Sequence, residues 1–212
     1  MIDLPVLVAF VPAVAAVVVS PGPDSVYTVT QSLGSGRAAG VAAAVGTATG
    51  VLVLAAAAVL GLSALLRTTA EAYVLMKYVG AAYLVYLGVR LLRDDGTFEI
   101  EESVGAGGRS PVESYRKAVV INVTNPQVAV FVLAFFPQFV PATADAAVQL
   151  SVLGVVYAGV SLLYLAVVAL FADRVRHVLL DSTTAQRAVR YASGSVLIGF
   201  GLKLAFEEGR IS

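Results

Sequence analysis

The apolar run from Leu4 to Val19 breaks on Pro21-Gly22-Pro23-Asp24-Ser25, and no other stretch constrains the fold of this chain as tightly. Two prolines fix φ and remove two backbone donors, and Gly22 between them tolerates nearly any backbone angle. The solvent around the break follows from composition. Charged residues make up 13% of the chain and hydrophobic ones 58%, against about 25% charged in a soluble domain, so the chain belongs in lipid. There an irregular backbone persists only where protein or a watery cavity covers it, and intramembrane carboxylates mark ion or substrate pathways. Two readings follow. In one, a broken helix places Asp24 at the start of its second half, lining a transport site. In the other, residues 4–20 already span and Pro-Gly-Pro-Asp is an interfacial turn with Asp24 as an ordinary N-cap.

Six apolar segments are expected: Leu4 to Leu33 through the break, Gly40 to Leu66, Tyr73 to Leu92, Ala118 to Phe136 interrupted by Asn125-Pro126, Ala146 to Ala172, and Tyr191 to Phe206. Each is close to the roughly 20 residues that cross about 30 Å of hydrocarbon. The predicted fold is all-α and integral to the membrane, one transporter domain over 1–212 with six transmembrane helices. The first segment has no positive n-region and no small-residue cleavage site, so it is expected to be retained. Arg93 to Arg116 and Asp173 to Arg190 read as solvated loops. Gly46 and Gly50 form a small-xxx-small pair that lets another helix approach closely. Ser193, Gly194 and Ser195 suggest a second small-residue packing face.

Lys and Arg set the orientation. With six spans, the loops after segments 1, 3 and 5 share a side and carry ten of the 14 basic residues. These loops are expected in the cytoplasm, with both termini outside, in a multi-pass protein of the cell membrane.

The two halves carry a repeat. Lys77-Tyr78-Val79 aligns with Arg190-Tyr191-Ala192 at an offset of 113, and Leu84, Gly88, Arg90 and Leu91 meet Leu197, Gly201, Lys203 and Leu204 at the same offset. Pro23-Asp24 aligns with Pro126-Gln127. Repeat 1 covers about 1–92, a cytoplasmic loop 93–117, and repeat 2 about 118–212. Three helices per half make the repeats inverted, with helices 1 and 4 broken by their Pro motifs. That arrangement places transporter sites near the midplane.

A break leaves the first N–H groups of a half-helix unpaired and its dipole aimed at the gap, which suits an anionic group. The carbonyls that end the preceding half suit a cation. A zwitterion is the natural ligand, and an amino acid is the obvious small one. The expected binding residues are Pro21, Gly22, Pro23, Asp24, Asn122, Asn125, Pro126 and Gln127. Asp24 pairs with an ammonium or carries a proton. The asparagines either line the site or serve as interhelical hydrogen-bonding groups.

Several stretches together resemble the LysE/RhtB family of amino-acid exporters: Pro21-Gly22-Pro23-Asp24, then Ser32-Leu33-Gly34-Ser35-Gly36-Arg37-Ala38-Ala39-Gly40, Lys77-Tyr78-Val79-Gly80-Ala81-Ala82-Tyr83-Leu84 with Gly88, Asn122-Val123-Thr124-Asn125-Pro126, Phe135-Phe136-Pro137-Gln138-Phe139-Val140, and Gly201-Leu202-Lys203-Leu204-Ala205. The resemblance implies efflux of amino acids or close derivatives by antiport with protons as the coupling ion, and Asp24 is the residue expected to carry the proton. It leaves the substrate and any homo-oligomer open. The family pattern usually reads Asn-Pro-Lys where this chain has Gln127, so no family-matched cation stands opposite Asp24.

Other classes lack their chemistry. The chain has no cysteine and one histidine, His177. That argues against a metal site, a redox carrier and a cysteine nucleophile, and no cofactor is expected. A metal-ion exporter of the wider superfamily would want several converging acids or His and Cys ligands. An intramembrane hydrolase at Ser195 would need a base in a span. Zero net charge argues against nucleic acid as a partner.

Overall fold

A computed structural model of the chain describes residues 4–20, 22–65, 70–93, 108–140, 146–176 and 182–206. Pro21 and His177 lie outside the described residues, as does 94–107 of the expected cytoplasmic loop. Among the described residues every regular element is helical: α1 Leu4–Val19, α2 Pro23–Ser35, α3 Arg37–Leu65, α4 Ala70–Arg93, α5 Pro111–Val123, α6 Pro126–Phe135 with a 3₁₀ turn Phe136–Phe139, α7 Ala146–Leu170, α8 Ala172–Val175 and α9 Thr183–Phe206.

By length and composition, two helices suffice to cross a membrane, Arg37–Gly61 and Ala146–Leu170, and the number rises to four if each bent pair is one span. The bent pairs are α1 with α2, at 57°, and α5 with α6 and its 3₁₀ turn, at 56°. Both expected breaks are therefore internal to a helix pair, and both are built the same way. Gly22 and Asn125 are extended and cap the following helix, and Pro23 and Pro126 take its first position, where a missing N–H costs nothing. The residue before a proline is pushed out of the α region, so each break is encoded by two neighbours. The cap is Gly22 and not Asp24, which lies inside the first turn of α2.

Two helix starts differ from the sequence expectation. α5 begins at Pro111 and not near Ala118, so 111–116 is helix and not solvated loop. Ser110 and Glu113 form a reciprocal capping box: the Ser110 Oγ accepts from the Glu113 N–H at 3.3 Å, and a Glu113 carboxylate oxygen accepts from the Ser110 N–H at 2.9 Å. α9 likewise begins at Thr183, eight residues before Tyr191, with the Ser182 Oγ accepting from the Ala185 N–H at 3.2 Å. Both caps sit in polar stretches that hydropathy alone assigns to loops.

α3 is the central wall. Its small residues Ala39, Ala43, Ala44, Ala48, Ala55 and Ala58 are buried, and it packs against α2, α5 and α7. A Cβ added at Gly46 would lie 2.4 Å from the Tyr115 carbonyl oxygen, and one at Gly50 would lie 2.7 Å from the Asn122 side chain. The helix that the Gly46/Gly50 pair admits is thus α5. The turn from α2 into α3 uses Gly36 at φ 91°, a left-handed conformation that favours glycine.

α4 and α9 form the other close pair. Gly88 abuts the Gly194 carbonyl and Ile198, and Gly201 abuts the Ala81 carbonyl and Val85. The offset of 113 that aligns the two sequences carries the first crossing onto the second, 88 to 201 and 85 to 198, with 81 going to 194.

Candidate functional site

The two breaks face each other across one small cavity. Its wall includes Ser20, Gly22, Asp24, Thr47, Asn122, Asn125 and Gln127 on the polar side and Val17, Val18, Val128, Tyr157 and Leu165 on the apolar side. One Asp24 carboxylate oxygen accepts from the Asn122 Nδ2 at 3.1 Å and from the Asn125 Nδ2 at 3.4 Å. Asn125 serves both breaks, because its Oδ1 also accepts from the Gln127 N–H at 2.9 Å and caps α6. Its amide orientation is fixed from both ends. The cap residue of α2, Gly22, makes no side-chain cap bond, so the two half-helix N-termini differ: that of α6 is closed by the side chain of its own cap, Asn125, and that of α2 is not.

Of the expected site residues, Gly22, Asp24, Asn122, Asn125 and Gln127 come together around the cavity. The Gln127 Oε1 would lie 3.9 Å from a Cβ placed on Gly22, so its side chain reaches across to the first break. Pro23 and Pro126 are exposed and shape the breaks from outside the cavity wall. Pro21 is not among the described residues.

Sequence reasoning passed over Ser20, Thr47 and Tyr157, all of which line the cavity. The hydroxyls of Ser20 and Thr47 stand out in three dimensions. Thr30, Ser32, Thr49, Thr124 and Ser151 each donate to the carbonyl four residues back, at 2.7–2.9 Å, the usual fate of a hydroxyl in a helix. Ser20 and Thr47 are buried, yet their oxygens have no hydrogen-bond partner among the described residues. The second oxygen of Asp24 and the Oδ1 of Asn122 are in the same condition. Four oxygens without partners among the described residues belong to side chains of the cavity wall, and burying a polar atom unsatisfied is costly. A site of this kind suits a cationic or hydrogen-bond-donating ligand such as an ammonium group. The cavity is about 30 Å³, room for a water molecule or two, so an amino acid enters only when the walls part.

Either side of the cavity the surroundings differ. Towards the end of α2, the Ser114 Oγ donates to the Gln31 Oε1 at 3.0 Å, the Tyr27 hydroxyl donates to the Ser114 carbonyl at 3.3 Å, and the Arg109 N–H donates to the Ser35 Oγ at 2.9 Å. Towards the start of α1, Phe10 packs on Phe136 and Phe139 with ring centroids 5.4 and 5.3 Å apart. Phe131, Phe135, Tyr157 and Phe200 continue that cluster.

The family model described as LysE type translocator matches residues 15–208. The chain belongs to the LysE type translocator family. It is a membrane transporter and not an enzyme. An uncharacterised membrane protein of Pseudomonas aeruginosa is 32% identical over 92% of this chain and 93% of its own length. A leucine efflux protein of Salmonella choleraesuis is 28% identical, covering 89% of each chain. A homoserine/homoserine lactone efflux protein of Salmonella typhimurium is 29% identical over 88% of this chain and 89% of its own. No solved structure matches this translocator.

Proposed function

We propose that this translocator exports amino acids or close derivatives across the cell membrane by proton antiport, with Asp24 exchanging a proton for the substrate ammonium. The observation that carries this is the Asp24 carboxylate between two helix breaks, one oxygen held by Asn122 and Asn125 and the other facing a cavity with three more unpartnered oxygens. The ammonium sits on those oxygens. The substrate carboxylate turns to the N-terminus of α2, whose cap residue Gly22 makes no side-chain cap bond. Val17, Val18, Val128 and Leu165 receive the side chain. The names of the relatives, leucine efflux and homoserine/homoserine lactone efflux, support the amino-acid class.

The same proposal takes the protein as six spans in two inverted repeats, broken at Pro23 and Pro126, with the basic loops in the cytoplasm and the termini outside. The matching crossings of α4 and α9 at the 113-residue offset support it.

The test is counterflow of a panel of labelled amino acids in proteoliposomes, with and without an imposed pH gradient. Wild type exchanges at least one of them and responds to the gradient. Asp24→Asn, nearly isosteric, elutes monodisperse in detergent and loses gradient-driven flux. Normal flux with an unchanged pH profile in that variant would remove the carboxylate from the mechanism. Counterflow of a divalent metal, with no amino acid moving, would overturn the substrate class.

A further inference from the structure

α2 leaves the cavity as a polar stripe. Asp24, Thr28, Gln31 and Ser35 are spaced four, three and four residues apart, which puts them on one face of a helix. α5 runs the opposite way alongside it, and its buried face reads Ser114, Ala118, Asn122. The two stripes meet rung by rung: Asp24 with Asn122 at the cavity, Gln31 with Ser114 further out, and Ser35 with Arg109 at the end. Thr28, Gln31 and Ser114 are fully buried, at 0% exposure. Such a row of polar groups sealed inside an apolar protein is expensive unless each is satisfied. Yet the Thr28 Oγ1 and the Gln31 Nε2 have no hydrogen-bond partner among the described residues. These atoms are polar for something other than the closed structure, and the row leads from the cavity to the loop before α5. The opposite side of the cavity is lined by interlocked rings, with no such row among the described residues.

We propose that the α2–α5 seam is the gate of this transporter: Thr28, Gln31 and Ser114 line the polar passage that opens between Asp24 and the face where α2 ends, and Tyr27, Ser35 and Arg109 hold it closed. The gate deepens the proposed function and rests on it for direction, since the charge asymmetry makes that face cytoplasmic. The breaks supply the freedom to open it, because α2 joins α1 only through a 57° bend at Gly22 and Pro23. α2 can tilt from α5 without unwinding either helix. Substrate enters from the cytoplasm along hydroxyls and an amide that re-form their hydrogen bonds with it or with water.

The chain has no native cysteine, so single cysteines report cleanly. Thr28→Cys, Gln31→Cys and Ser114→Cys are made separately and exposed to an impermeant cationic methanethiosulfonate in intact cells and in inside-out vesicles. All three react in inside-out vesicles and not in intact cells, although their sites are buried when the seam is closed. Phe136→Cys, on the other side of the cavity, stays unreactive in the vesicles. Adding Ser114→Ala to Thr28→Cys removes one rung and speeds the reaction about fivefold, the effect of losing roughly one hydrogen bond. No reaction from either face, reaction only in intact cells, or a rate indifferent to Ser114→Ala overturns the gate. If one cysteine variant fails to fold, the other two carry the same expectation from both walls. No substrate is needed for this readout. A seam that labels as expected in a protein that moves no amino acid keeps the gate and sinks the proposed function, and amino-acid flux with an inert seam does the reverse.

Discussion

The two sides of the cavity are closed by different chemistry. Between α2 and the start of α5 runs a short ladder of hydrogen bonds among Gln31, Ser114, Tyr27, Ser35 and Arg109, beside a small apolar cluster of Tyr27, Ala43 and Ala118. Between α1, α6, α7 and α9 it is seven aromatic rings, from Phe10 and Phe131 to Tyr157 and Phe200. Interhelical hydrogen bonds in membranes average only about 0.6 kcal/mol each, so three of them cost roughly 2 kcal/mol to break. Water entering the opened seam would repay much of that. Each aromatic pair contributes about 0.5–1.5 kcal/mol beyond its buried area, and the rings touch several neighbours at once. Water repays nothing there. A polar seal opens readily and heals, whereas an aromatic one holds until the helices that carry it move together.

The sharpest way to break this comparison is to weaken each side in turn and measure thermal unfolding in detergent. Phe136→Ala empties the centre of the ring cluster, where the side chain is fully buried. It is expected to destabilise by about 3–5 kcal/mol, while Gln31→Met is expected to cost about 1 kcal/mol. Equal losses would mean that the seam is as firmly built as the ring cluster. Gly50→Ala tests the cavity between them. A methyl group there meets the Asn122 Cβ and Oδ1 at 2.7 Å, so it displaces the amide that holds Asp24 and overpacks by about 1–3 kcal/mol. Counterflow should fall with stability, while Gly61→Ala, with no atom within 4 Å of the new methyl, leaves both unchanged. Equal behaviour of the two glycine variants would separate Asn122 from transport. The smallest effect is expected from Gln127→Lys, which adds an ammonium beside the first break. A cation there favours the ionised carboxylate, so the pH profile of flux moves to more acid values. An unmoved profile would show that residue 127 does not sense Asp24.

What could be read from the chain alone was whatever neighbours encode by themselves. Gly22-Pro23 and Asn125-Pro126 each make a break from two residues, so both breaks were legible, whereas the contact of Asp24 with the asparagines spans about a hundred residues and is encoded by no neighbour. The Gly46/Gly50 pair announced a close helix, but nothing local could say that α5 fills the place and that Asn122 is the residue it positions. Ser110 and Ser182 were readable caps overruled by the polarity around them, which is why α5 and α9 begin earlier than hydropathy suggests. The seam and the ring cluster were out of reach for a different reason. Gln31 and Ser114 meet across 83 residues, and Phe10, Phe131, Tyr157 and Phe200 sit on four helices. Ser20 and Thr47 had a signal only in retrospect, because an unreturned hydroxyl shows itself in three dimensions.

At Gly88 and Gly201, α4 and α9 approach until main chain meets main chain, with a carbonyl oxygen and a branched side chain, Ile198 or Val85, where the glycine's own side chain would ordinarily stand. Side chains are what allow two helices to slide, since each rotamer change offers the next resting place. Where main chain meets main chain there is no such series of steps, and displacement by even a fraction of an ångström opens a gap or makes a collision. The pair is therefore a single strut with two strands of chain in it. If α2 swings, it swings against something, and this strut is poorly able to follow.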